Sequence, residues 1–98
     1  MNILHPTGWK SARDLVPDSM PLGTSQAVQF IRNLGYSSET HISDDVKGNE
    51  TFNATALRLV DEEVVFRPWT TTYNKAERML VILFTEESDA VMFRLMNA

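Results

Sequence analysis

Residues Met79 to Phe84 are six consecutive apolar side chains, bounded by Arg78 and Thr85. A strand over Arg78 to Phe84 sends Met79, Val81 and Leu83 to one face and Leu80, Ile82 and Phe84 to the other. A strand that is apolar on both sides belongs in a sheet with both faces covered. The rest of the chain must therefore supply two layers, one for each face. With 98 residues, it must do so within a single domain spanning 1–98.

Thr85 follows as a candidate cap. Glu86, Glu87 and Asp89 then suit the positive end of a closing helix, and Ala90, Val91, Phe93 and Leu95 give it an apolar stripe. A second helix is expected from about Ser25 to Leu34. Thr24 stands at its amino end, and Ala27, Phe30, Ile31 and Leu34 repeat at helical spacing. Phe52–Val60 and Val64–Trp69, separated by Asp61-Glu62-Glu63, read as a β-hairpin, with Pro68 ending or displacing the second strand.

Two segments lack clear periodicity. Residues 1–23 carry Pro6, Pro17 and Pro21, yet Ile3, Leu4, Trp9, Leu15, Val16, Met20 and Leu22 are too apolar for a free tail. Within this irregular arm, Ser11 to Asp14 resembles a capping box opening one helical turn before Pro17. Residues 37–51 are polar and acidic and read as a long loop turning at Gly48-Asn49.

The expected fold is thus α+β: a small, mostly antiparallel three-stranded sheet, two helices and a packed irregular amino-terminal arm. Two helices cover one sheet face. The other needs the arm, which is the simplest cover, or else a second copy or a different partner.

Composition excludes whole classes of chemistry. There are no cysteines, hence no disulfides, thiolate nucleophiles or iron–sulfur ligands. No run approaches the roughly 20 apolar residues of a membrane helix. Met1 to Trp9 has no basic start followed by an apolar run, so the expected compartment is the cytoplasm. No serine lies in a nucleophile-elbow pattern, and the four glycines are scattered singly rather than in a phosphate loop. His41 with Asp44 and Asp45 is the nearest approach to a metal set, but an acidic solvated loop yields the same letters. Neither a cofactor, nor a metal, nor catalysis is expected.

Binding is the better-supported expectation. The net charge of −4 is concentrated in residues 37–63, where Glu39, Asp44, Asp45, Glu50, Asp61, Glu62 and Glu63 face only Lys47 and Arg58. Such a field favours a basic protein partner, with Asp44, Asp45 and Glu50 as candidate contacts. Residues 67–78 are the opposite: Arg67, Lys75 and Arg78 accompany Trp69 and Tyr73 in an expected loop between strands. Aromatics and arginine are the usual anchors of protein interfaces. Aromatics with cations also make single-strand nucleic-acid surfaces, the alternative reading of Arg67, Trp69, Tyr73, Lys75 and Arg78. In a third reading, Trp69 and Tyr73 fold inward and cap the core.

The closing segment, Met79 to Leu95, resembles the carboxyl-terminal strand–helix ending of small accessory proteins of tailed bacteriophages. It shares a generic strand, an acidic helix start and a Met-Phe-basic-Leu finish over about a fifth of the chain. The resemblance implies a non-enzymatic regulatory protein that binds a host or defence component in the host cytoplasm. It assigns a role to no residue.

Overall fold

The computed structural model describes residues 6–97. Met79–Phe84 is a strand, as its two-faced pattern requires, but the sheet around it has four strands rather than three. In chain order the elements are β1 (Thr7–Ser11), α1 (Ala12–Leu15), α2 (Ser25–Asn33), β2 (Ser38–Ser43), α3 (Val46–Asp61), β3 (Val65–Asn74), β4 (Met79–Phe84) and α4 (Glu87–Asn97). The spatial order is β1-β3-β4-β2, with β1 parallel to β3 and the other two pairings antiparallel. This mixed sheet with four helices replaces the expected three-stranded, two-helix arrangement.

Both faces of β4 are closed by the chain itself. Leu80, Ile82 and Phe84 pack with Leu59, Ala90, Phe93 and Met96 from α3 and α4. Val81 and Leu83 pack on the opposite face with Ala12, Val16, Val28 and Ile31, flanked by Leu15, Met20 and Leu22. The arm does cover the second face, together with α2, so that face offers no surface to a second copy. The arm is irregular only in part: residues 16–23 hold no helix or strand, but the segment before them supplies β1 and α1; Ile3 and Leu4 lie outside the described residues. Ser11 precedes α1, but its side chain makes no cap hydrogen bond.

The expected hairpin is overturned at its first strand, because residues 52–60 lie within helix α3. Leu57 and Leu59 invite a strand reading by alternation, yet Leu57 is 48% exposed and Leu59 only 1%. Phe52, Thr55 and Leu59 recur at helical spacing instead, and they form the inward face. Thr55 is acceptable there because its hydroxyl meets the Thr51 carbonyl and the Asn97 side chain. Asp45 caps the helix, accepting the Gly48 N–H at 2.7 Å. The supposed turn at Gly48-Asn49 is therefore the first turn of α3.

Residues 38–43, expected in a loop, form the edge strand β2 against β4. Only Ile42 of β2 is buried, which is why its sequence reads as a loop. Glu39 ties this edge to α2: Arg32 donates to both of its carboxylate oxygens at 2.7 Å, and His41 Nε2 lies 2.8 Å from Oε1. The Arg32 hydrogen bonds, more than His41, hold the Glu39 carboxyl below its ordinary value of 4.5. A carboxyl lowered in the folded state binds protons more readily once unfolded. Its stabilising contribution is therefore complete above about pH 4.5 and is lost as pH falls through the lower folded value. Urea midpoints measured down the acid limb should fall more steeply for the wild type than for Glu39→Gln; parallel curves would contradict this linkage.

β3 runs through Pro68 rather than ending there. Thr7 pairs with Val65 but Trp9 with Trp69, so β3 bulges between these two pairings. The missing Pro68 N–H costs no ladder bond at a bulge, and its carbonyl accepts from both the Thr85 amide and the Thr85 hydroxyl. Thr85 is thus spent on β3, not on capping α4. Gly8 sits opposite the bulge with φ of 88°, and a Cβ there would lie 2.4 Å from the Phe66 carbonyl oxygen.

Candidate functional site

Extending β3 to Asn74 disperses the residues expected in a 67–78 loop. Trp69 is fully buried, stacked on Phe84 with ring centroids 5.4 Å apart, and its indole donates to the Thr7 carbonyl at 3.1 Å. It is a core residue, as the inward reading held. Arg67 stands at the opposite end of the strand from Lys75, roughly 25 Å away at about 3.3 Å per residue. Its amide donates to Asp89 at the start of α4. Tyr73 is 41% exposed, and its hydroxyl meets the Asn49 side chain.

At the Asn74 end of the strand, Asp44, Asp45, Lys75 and Arg78 do converge, around a shallow polar depression of about 390 Å³. Asp45 is committed to the helix cap and to the Ser43 hydroxyl; the Gly48 N–H first, and Ser43 next, pull its carboxyl below the ordinary value. Glu50 lies exposed on α3 and does not line this depression. Among the described residues, no group of three His, Cys, Asp or Glu is placed to hold a metal ion. No described helix is long and apolar enough to cross a membrane.

The larger feature lies beside it. Helices α3 and α4 pack over β2 and β4, leaving the β1–β3 side of the same face partly open. A cleft of about 440 Å³ results. Trp9 from β1, Phe52 from α3 and Tyr73 from β3 supply its aromatic walls, with Leu22 and Leu80 adding apolar surface. Polar groups stand on two sides. Asn49 and Asn53, one helical turn apart, project from α3, and Thr71 faces them from β3, its hydroxyl accepting from the Trp9 indole at 3.2 Å.

Two cations complete the lining. Arg13 is held by the Pro17 and Met20 carbonyls at 2.7 and 3.1 Å, which fixes its position. Lys75 is anchored through its amide to the Gly23 carbonyl. Neither has a carboxylate within 4.0 Å among the described residues. In an acidic protein, Arg13 and Lys75 place positive charge beside aromatic walls, Lys75 also bordering the depression that Asp44 and Asp45 line.

Sequence reasoning found Tyr73 and Lys75 but missed Trp9, Arg13, Asn49, Phe52 and Asn53. The signal for three of these was present, since Asn49, Phe52 and Asn53 fall at i, i+3 and i+4 of a helix. Trp9 and Arg13 are brought in by the parallel pairing of β1 with β3, which no local pattern announces. Compared with known proteins, the chain matches no protein-family model, no curated protein and no solved structure.

Proposed function

We propose that this chain is a non-enzymatic protein-binding module whose cleft seats an extended segment of a partner polypeptide. The observation carrying this reading is the pairing of aromatic walls with the side-chain amide of Asn53, since Asn49 already donates to the Asp45 carbonyl and accepts from the Tyr73 hydroxyl. A peptide backbone presents donors and acceptors in alternation, and a carboxamide answers both. The Asn53 amide makes no hydrogen bond to another described residue, so it is available to a ligand. A volume of about 440 Å³ suits one or two side chains. Arg13 and Lys75 select for a carboxylate beside the apolar anchor.

The lining contains no histidine, aspartate or glutamate, and its ionisable side chains are Arg13, Tyr73 and Lys75. A binding role is also what the resemblance to phage accessory proteins implies. The basic-partner reading of the acidic segment is weaker, because Glu39 is paired, Asp45 caps a helix and Glu50 lies apart.

Selection from a random heptapeptide library tests the proposal. Enriched peptides should carry an apolar residue next to an acidic one. Asn53→Arg, which fills the cleft from an exposed position, should weaken them by about tenfold or more. Lys75→Glu should shift the selection away from acidic residues. Peptides that bind Asn53→Arg as well as wild type would refute the cleft. Oligothymidylate binding that depends on Lys75 and Tyr73, without any peptide selected, would replace the peptide by a nucleic acid.

A further inference from the structure

In an antiparallel pair, residues alternate between those bonded to the neighbouring strand and those whose main-chain groups point away from it. The Asp44 amide donates to the Arg78 carbonyl at 3.0 Å, continuing the register that pairs Ile42 with Leu80. The even-numbered positions of β2 therefore bond to β4, and the N–H and C=O groups of Glu39, His41 and Ser43 face outward. Arg94 agrees with this direction, reaching the Glu39 carbonyl with a donor–acceptor distance of 3.4 Å. Among the described residues no hydrogen bond meets the outward groups of His41 or the Ser43 N–H, while the Ser43 carbonyl oxygen lies against Gly48 at the start of α3. β2 itself contains neither proline nor lysine, the usual devices for blocking an edge.

We propose that this edge pairs with the same edge of a second copy, antiparallel about His41, so that two four-stranded sheets become one. The register sets His41 opposite His41, Thr40 opposite Ile42 and Glu39 opposite Ser43 of the second copy. It opposes no two carboxylates. Charge complementarity selects a second copy over an arbitrary strand. Arg94 lies over the edge at the level of Glu39, on the sheet face covered by α4, and has no carboxylate within 4.0 Å among the described residues. In the paired register, Asp44 of the second copy stands one residue beyond that level. By its place in the alternation it is on the same face as Ile42, which packs with α4. Asp44 is exposed and has no ion-pair partner of its own among the described residues. Twofold symmetry makes the Arg94–Asp44 contact twice, and it closes the assembly at two copies. This surface is distinct from the cleft, and the inference stands apart from the peptide-binding reading.

Sedimentation of the full chain from micromolar to millimolar concentration tests it. A reversible species of twice the 11.1 kDa chain mass is expected. Against His41→Ala, which lacks the imidazole contact to Glu39, His41→Pro further removes only an outward N–H, leaving the bonds to β4 intact. It should keep the wild-type circular dichroism and weaken association about tenfold or more, because symmetry doubles the loss. Should that variant fail to fold, the charge reversals decide: Arg94→Asp and Asp44→Arg should each weaken the dimer, and the double variant should restore it. A monomer at every concentration, a dimer indifferent to these substitutions, or open-ended growth beyond two copies would each overturn the proposal.

Discussion

Trp69→Ala is expected to destabilise the fold by about 3–5 kcal/mol, measured by urea denaturation at neutral pH. The indole is fully buried, with Phe66 edge-on at 6.0 Å, Phe84 stacked at 5.4 Å and Phe93 tilted at 6.1 Å. Truncation leaves a cavity that three large rings cannot all close around. It also strips the Thr7 carbonyl of its indole donor, loosening β1 from β3. Trp69→Phe keeps most of the ring packing and loses the donor, so it should fall between the two. A loss under about 1 kcal/mol for the alanine variant would mean that the aromatic cluster does not organise this core.

Gly48→Ala should reverse the usual sign of such a change. Within a helix, alanine normally exceeds glycine by about 1 kcal/mol. Here a Cβ would lie 1.8 Å from the Ser43 carbonyl oxygen and 3.2 Å from Ile42 Cγ2. The obstructing atom is backbone at the end of β2, only five residues away, so it cannot swing aside as a side chain would. The start of α3 must shift instead, breaking the 2.7 Å cap from Asp45. A net destabilisation of about 2–3 kcal/mol is expected from overpacking and the lost cap together. A stabilised variant would show that α3 can stand further from β2 without cost.

These two residues mark where the sequence was and was not legible. β4, α2 and α4 were readable because their patterns are local: two apolar faces, a helical stripe behind Thr24, and acidic residues before an apolar run. In α3, the alternation of Leu57 and Leu59 competed with the true helical set, which was disguised because one of its inward positions is Thr55. Gly48 read as a turn because its need to be small comes from β2, an element itself hidden by polar side chains. β2 is a strand because β4 needs a neighbour, not because Ser-Glu-Thr-His-Ile-Ser prefers to be extended. Pro68 stopped the sequence reading of β3 where Gly8, sixty residues earlier, permits a bulge. The candidate site suffered for the same reason. Its walls come from β1, α3 and β3, and their convergence is decided by tertiary pairing.

The parallel union of β1 with β3 also fixes a sequence in time. Trp9 pairs with Trp69, and Lys10 with Thr70, so the first described strand has its only strand neighbour far along the chain. Loop closure over such a span comes late compared with the short Asn74–Met79 turn that joins β3 to β4. During synthesis, Thr7–Ser11 emerges before β3 and stays unpaired until β3 has followed it out. Because Trp9 is one wall of the cleft, the cleft is complete only once β1 and β3 have met.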